Sequence, residues 1–584
     1  MNRNNERHFN QVPETHVSRT RFKRDQNILT TFNAGKLIPF YVDEVLPGDT
    51  FSVDTAAIIR MTTPKYPVMD DAYIDFYYFF CPNRILWDNF KKFMGEADDT
   101  PWMPSKTYTV PKIIVGNKSL WPNPDRDYPD EGTILDYMGI PPKSIKTDKE
   151  AEYSINALPI RAYVKIWNEF FRDQNVGNPA VLNTGDESTE YASGGPKEDE
   201  ITEETILRNA QNGGYCLPVS RFHDYFSSCL PSPQRGPEVT IALTGNAPVR
   251  AYTESNLSEQ KTGTGFFNNE YNTGIVNHTN ITFTKEGTKF SVNKNKNGNT
   301  APLLDGQYIQ TMSQDDANFF DAWLGTDLST IEAATINQLR QAFAVQHYYE
   351  ALARGGSRYR EQVRALFGVS ISDKTVQIPE YLGGGRYHVN MNQIVQTSGQ
   401  ESNSGTPIGE TGAMSVTPIN ESSFTKSFEE HGFVIGVMCV RHDHSYQQGL
   451  ERFWSRSDRL DYYFPQFANL GEQPVKKKEI MVTGTSTDDE TFGYQEAWAD
   501  YRMKPNRVSG KMRSNAEGTL DFWHYADNYE NVPTLSQEWM KEGKEEIART
   551  LIVQDEPQFF GAIRVMNKTT RCMPLYSVPG LEKL

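Results

Sequence analysis

The alternation of apolar and polar residues is sharpest in the first hundred positions. Phe51, Val53 and Thr55 alternate with Ser52 and Asp54, the period of a strand with one buried face. The turn Leu46-Pro47-Gly48-Asp49-Thr50 precedes them. The next run, Tyr73–Cys81, is aromatic or aliphatic at nearly every position, which predicts a strand buried on both sides. Further short runs rich in β-branched and aromatic residues fall at Val239–Leu243, Phe433–Arg441, Glu479–Thr483 and Phe559–Met566. Few strands joined by long crossovers suit a sandwich of the jelly-roll kind. The regular strand–helix alternation of a parallel doubly wound sheet is absent.

Between the strands the period changes to that of helices. Ile85 to Met94 places Leu86, Phe90 and Phe93/Met94 on one stripe. Pro159 stands at a first helical position, followed by Ile160, Tyr163, Val164, Trp167 and Phe170/Phe171 at helical spacing. Ser329 and Glu332 form a capping box for a helix that carries Ile336, Leu339 and Phe343 and stops at Gly355-Gly356. These stripes are read as core-packing faces. Two stretches read as polar insertions: Asn183–Gly214 and Thr253–Gly306. The second contains an alternating pair, Asn280–Thr284 and Thr288–Val292, joined by Lys285-Glu286-Gly287 and predicting a β-hairpin. A long polar loop with internal structure is a usual place for recognition.

With 584 residues the chain exceeds one small core, and 37% hydrophobic with 12% aromatic residues is enough for a globular fold. No apolar run approaches the roughly 20 residues that span a bilayer, and nothing apolar follows the N-terminus, so neither membrane insertion nor a secretory signal is expected. The sequons at Asn256, Asn277 and Asn280 carry little weight without such a signal. Five scattered cysteines (Cys81, Cys216, Cys229, Cys439, Cys572) never form Cys-x-x-Cys, which reads as reduced, buried thiols. A net charge of −16 argues against a nucleic-acid binder over the whole surface. The charge is uneven, however: before Gly35, Arg3, Arg7, Arg19, Arg21, Lys23 and Arg24 face only Glu6, Glu14 and Asp25. A basic arm of this kind is a candidate for phosphate contact.

Catalytic chemistry is not found. His442-Asp443-His444 puts two imidazoles on one strand face, but no third ligand is identifiable and no metal is assigned. Gly383-Gly384-Gly385 lacks the Lys-Ser/Thr and helix of a phosphate loop and reads as a tight backbone crossing. Adjacent acids occur at Asp70-Asp71, Glu429-Glu430 and Asp488-Asp489-Glu490; the first pair, on opposite strand faces, is a poor acid–base couple, and such a run in a loop reads as a solvated patch, with divalent-cation binding at a subunit seam as the weaker alternative. Lys476-Lys477-Lys478 is a compact basic run, read either as a solvated strand end or as a phosphate-facing patch. No cofactor is expected.

Several irregular blocks resemble the major capsid protein of gokushoviruses, small single-stranded-DNA phages of the microvirus family. They are Asn33–Tyr41, Leu158–Tyr163, Asn168–Asn175, His223–Gly236, His431–Gly436, Tyr446–Leu450, Gly471–Gln473 and Tyr494–Pro505. The resemblance implies a mainly β chain, a single viral jelly-roll β-sandwich with long loop insertions and several short helices, closing into a small icosahedral shell. The expected organisation is a basic N-terminal arm (1–34), first jelly-roll strands with helical insertions (35–182), a polar surface loop (183–214), a jelly-roll segment (215–252), a variable projecting loop (253–306), and a helical insertion with the remaining strands (307–584). The arm then lines the interior, with Arg3, Arg7, Arg19, Arg21, Lys23 and Arg24 as DNA contacts. The projecting loop, with Asn280, Thr282, Lys285, Glu286 and Lys289, is the expected host-attachment element. Implied partners are further copies of the chain, a single-stranded DNA genome, scaffolding and pilot proteins and a host surface receptor. The implied setting is the virion, assembled in the host cytoplasm. A different class also suits the Tyr, Trp and acid content: a carbohydrate-binding or glycoside-hydrolysing β-sandwich. The basic arm argues against it.

Overall fold

The computed structural model describes residues 18–96, 106–116, 130–141, 153–195, 198–237, 239, 249–253, 280–285, 288–293, 309–311, 320–326, 336–395, 397, 409 and 411–576. Nine strands make two principal sheets: β1 (Thr20–Lys23), β2 (Gln26–Phe32), β3 (Ile38–Val45), β4 (Thr50–Met61), β5 (Ala72–Pro82), β6 (Glu380–His388), β7 (Thr417–Ser427), β8 (Gly432–His442) and β9 (Phe559–Arg571). In the first sheet β9 lies between β4 and a lane shared by β1 and β2, and β7 pairs the far side of β4. The second sheet runs β6-β5-β8-β3. Every pairing within both sheets is antiparallel.

The two sheets are buried differently, and the sequence shows why. Along β4, Phe51, Val53, Thr55, Ala57, Ile59 and Met61 are buried while the residues between them are not. β9 repeats this with Phe559, Ile563 and Val565 inward. The first sheet therefore has one core face. In β5 and β8 almost every position is buried, as the two-sided apolar run of Tyr73–Cys81 predicts. Toward the first sheet, Phe76 and Tyr78 meet Phe40 edge-on at 5.3 and 5.6 Å, and Tyr78 packs on Phe424 at 5.4 Å. The Tyr78 hydroxyl lies 2.6 Å from Thr55 Oγ1, a hydrogen bond that joins the sheets across the core.

On the opposite face of β5, Phe79 packs on Phe170 at 4.7 Å and Tyr77 on Phe171 at 5.4 Å. Those two aromatics end a π-helical turn, Trp167–Phe171, that continues helix α1 (Leu158–Ile166). Pro159 stands in the first turn of α1, as expected. Asp75 is the charged residue on this face and is fully buried; Arg386 binds it with two bonds, of 2.7 and 3.2 Å, and Arg441 also pairs with it. Both guanidinium groups lie 4.2 Å over the Phe222 ring.

Several expectations need correction. Residues 20–32, read as part of a basic arm, are β1 and β2 of the first sheet. Glu479–Thr483 is not a strand: Glu479 Oε1 accepts from the Lys476 backbone N–H at 3.0 Å and winds a 3₁₀ turn, Lys477–Glu479. Ile85–Met94 is two short turns, Asn83–Leu86 and Phe90–Phe93, with Met94 exposed. The helix before Gly355-Gly356 exists (α2, Ile336–Gly355), but Ile336 and Phe343 are exposed rather than core residues. Stretch 183–214 is not all surface; it includes Glu203–Asn209, a helix that buries Ile206 and Leu207. Ser329, Glu332 and residues 240–243 lie outside the described residues, and Val239 is in no strand.

The chain divides into two compact units, residues 1–235 with 350–584, and residues 236–349. The second contains a three-stranded sheet of Val249–Thr253, Ile309–Thr311 and Phe320–Thr326. It also contains the expected hairpin, Asn280–Lys285 paired with Thr288–Asn293.

Gly383-Gly384-Gly385 lies in β6 as a close backbone crossing. A Cβ on Gly384 would stand 2.0 Å from the Phe76 carbonyl oxygen. Gly384→Ala must therefore lift β6 off β5, and the expected cost is about 1–3 kcal/mol, read as a lower urea midpoint of the purified chain.

Candidate functional site

The basic residues near the N-terminus have different environments. Arg24 makes two bonds to Asp43, of 2.7 and 2.6 Å, and Asp43 also accepts from the Tyr41 hydroxyl at 2.9 Å. Arg24 thus fastens the β1–β2 lane to β3. Lys23 and Arg21 are exposed on β1, and Lys23 reaches Asp25 at 3.3 Å. Arg19 is exposed just ahead of β1. Arg3 and Arg7 lie outside the described residues. In the hairpin, Asn280, Thr282, Lys285 and Lys289 occupy its two strands, with Thr284 opposite Lys289. Glu286 lies outside the described residues.

The charge runs that stand apart in the sequence meet in space. Lys476 and Lys478 reach Asp489 at 2.9 and 3.1 Å, and Lys477 reaches Glu490 at 2.7 Å. Hydrogen bonds from the two lysines hold the Asp489 carboxyl below the usual range. The lysine run is therefore answered by acids of its own chain. The acid pairs separate: Asp71 meets His388 at 2.6 Å while Asp70 accepts from the Tyr525 N–H at 3.1 Å. Glu430 binds Arg84 and Glu429 binds Lys374. None forms an acid–base couple.

The His442-Asp443-His444 motif leads to a buried charged cluster whose other members lie far away in sequence. His442 ends β8 and meets Glu542 at 2.5 Å. His444 is bracketed: Nδ1 is 3.0 Å from Asp527 and Nε2 is 3.2 Å from Glu542. Arg221 donates to Asp527 at 2.7 Å and lies 3.3 Å from His444 Nδ1. Tyr529 donates to the same Asp527 oxygen at 2.7 Å. All of these but Tyr529 are buried. Donor atoms of His442, His444 and Asp527 lie within 4.8 Å of one another, but both His444 nitrogens face carboxylates and a guanidinium stands beside one. That arrangement suits an imidazolium between two carboxylates, and Arg221 already supplies the positive charge a metal would bring.

The electrostatics follow. Burial alone would depress the His444 pKa, but the Asp527 and Glu542 charges outweigh it and hold it up at about 10. Burial would raise Asp527 and Glu542, but Asp527 is pulled well below the carboxylate range by His444 and Arg221, and Glu542 by His442 and His444. The remaining carboxyl, Glu546, is pushed up by burial and the Asp527 charge. The cluster closes the segment 443–558 back onto β8.

A raised imidazole pKa stabilises the fold below its unfolded value of about 6.5 and loses that contribution as pH climbs toward the folded value. The lowered carboxylates contribute above about pH 4 and lose it on acidification. The urea midpoint should thus be highest between about pH 5 and 6.5 and fall toward pH 10. His444→Gln should lower the midpoint and flatten the alkaline decline, measured by denaturation across that range. Asp527→Asn should cost about 3–5 kcal/mol by leaving Arg221 without its counter-charge and His444 with Glu542 alone.

Among the described residues no helix is long and apolar enough to cross a membrane. The chain matches the family model described as capsid protein (F protein) over residues 10–581. It is 38% identical over 615 aligned residues to the capsid protein VP1 of Chlamydia phage 1, covering 99% of this chain and 98% of that protein. It is 36% identical to the capsid protein VP1 of Spiroplasma virus 4, with the same coverage. The matched family is structural rather than enzymatic, which sets aside the glycoside-hydrolysing alternative. The chain belongs to the capsid protein F/VP1 family of microviruses and is a virion capsid component.

Proposed function

We propose that this chain is the repeating subunit of a closed icosahedral shell, built on a single viral jelly roll around a single-stranded DNA genome. The reading rests on one observation, the order of strands. Because β1 and β2 both pair with β9, they count as one lane, and the lanes run first-eighth-third-sixth in one sheet and fifth-fourth-seventh-second in the other. Two interleaved Greek keys produce this order. A closed shell then repeats the same few subunit contacts under point-group symmetry. The expected position of Arg19, Arg21 and Lys23 is on the genome side, together with Arg3 and Arg7, whereas Arg24, expected there too, is committed to Asp43.

Host attachment is assigned to the unit 236–349. It folds as a compact unit of its own and carries the paired strands Asn280–Lys285 and Thr288–Asn293. Such an element can vary without disturbing the sandwich.

Particles from an infected culture should sediment as uniform shells containing nuclease-protected single-stranded DNA. Small oligomers without DNA, from a culture that yields virus, would overturn the shell reading. Replacing residues 280–293 with a short Gly-Ser linker should leave sedimentation unchanged and reduce adsorption to host cells at least about tenfold, which is roughly 1.4 kcal/mol of binding. Unchanged adsorption would remove the attachment role from the hairpin.

A further inference from the structure

The segment 443–558, which closes back onto β8, carries aromatic side chains that it does not bury. Phe453 and Trp454 lie in the 3₁₀ turn Arg452–Ser455, and Tyr462 and Tyr463 follow the turn Arg459–Asp461. Trp454 is 67% exposed and Leu460 68%, while Phe453, Tyr462, Tyr463, Tyr501 and Met503 lie between 42% and 52%. These side chains form one patch. The Phe453 and Trp454 rings stand 4.7 Å apart, with the Lys504 ammonium 5.8 Å from Phe453. Tyr463 and Tyr501 meet at 6.2 Å. Between them lies an opening of about 260 Å³, lined by Phe453, Tyr501, Met503 and Arg452 among others.

The patch is held from beneath. The Arg456 side chain is nearly buried, pairs with Asp500, and lies 4.3 Å over the Tyr501 ring and 5.6 Å over Tyr462. Asp461 accepts from the Ser457 and Asp458 backbone N–H groups, each at 2.8 Å. Trp498 Nε1 donates to the Phe467 carbonyl at 2.9 Å. Side chains already ordered in this way lose little freedom when a partner covers them.

We propose that this aromatic face is a seam between copies of the chain, and that it meets a different, acidic surface of the neighbouring copy, one of whose side chains enters the opening beside Tyr501. The inference rests on the capsid reading above and names one of its subunit contacts. Area supports a protein partner. Five aromatic side chains, each about half exposed, present on the order of 500 Å², the upper range for a monomer's largest apolar patch. A standard interface uses about 800 Å² per partner, so this face supplies most of one.

Composition and charge say which partner. Residues 451–464 and 496–513 carry eight cations against five acids, and six of the eight are arginine. Trp, Tyr, Phe, Met and Arg are the residues enriched at protein interfaces, and Trp, Tyr and Arg dominate their binding energy. The rest of the chain is strongly acidic, since the whole carries −16, so a second copy offers the complementary charge. An excess of cations opposes a two-fold contact, in which the patch would meet itself. The seam is therefore heterologous, the kind of contact that closes rings of subunits.

The first test needs no variant. Hydroxyl-radical labelling of the unmodified chain compares DNA-free shells with the subunits released from them. Trp454, Tyr462 and Tyr463 should lose most of their labelling in the shell, and equal labelling in both would overturn the inference. Trp454→Ala/Leu460→Ala removes two side chains exposed in the subunit. It should lower the yield of sedimenting shells at least about tenfold, the loss of one interface hot spot, and leave the subunit's urea midpoint unchanged. Full shell yield would overturn the inference; should the midpoint fall, the labelling decides. Arg459→Glu/Lys504→Glu should also lower the yield, because these cations face acids across the seam. A rise in yield would mean that the patch meets itself, and would overturn the heterologous contact. Binding of the subunit to phosphatidylglycerol vesicles, with labelling of the patch unchanged in shells, would overturn the seam and assign the face to a lipid surface. Failure of the unmodified chain to form shells would count instead against the capsid reading.

Discussion

The second sheet is buried on both faces, and the rest of the molecule is organised around that constraint. β5 and β8 have no polar side to give to solvent, so one face must be covered by the first sheet and the other by chain brought in from elsewhere. The aromatic contacts across β5 run to Phe40 and Phe424 on one side and to Phe170 and Phe171 on the other. Each such pair contributes about 0.5–1.5 kcal/mol beyond its buried area. The long segments between strands are therefore necessary cover. Asp75, the charge buried in that cover, is tolerated because Arg386 and Arg441 converge on it.

The covering chain must also be held in place. The cluster of Arg221, His442, His444, Asp527 and Glu542 does this for segment 443–558, joining the end of β8 to two distant loops. Buried ion networks add little net stability over an apolar core, but breaking one member is costly. We infer that this cluster specifies where the insertion docks. The first sheet carries no equivalent burden. Its one-sided alternation leaves an outer face open, and that asymmetry gives the subunit two unlike sides.

What was legible in the sequence follows the same division. The period-two pattern at Phe51–Thr55 and the two-sided run at Tyr73–Cys81 revealed β4 and β5, because burial writes itself directly into those residues. The paired strands Asn280–Lys285 and Thr288–Asn293 were legible from their alternation. β1, β2, β6 and β7 were not: β6 contains three glycines, and β7 is largely Ser, Thr and Asn. Their strand identity comes from neighbours supplied by distant parts of the chain. The apolar stripe of α2 was misread as core, since periodicity reports amphipathicity without naming what covers it. The histidine motif was visible, but its carboxylate partners lie about 80 and 100 residues away, beyond any local pattern. Asp527 and Glu542 carried no sequence signal that could have paired them with it.

A reconstruction of the assembled particle at side-chain resolution tests the account most directly, because it shows which way the two sheets face. The account predicts that the outer face of the first sheet, which carries Arg21 and Lys23 on β1, looks into the lumen. It also predicts that the covered side of the second sheet lies farther from the genome. A first sheet whose outer face is buried against a neighbouring subunit, or turned to the particle exterior, would contradict it.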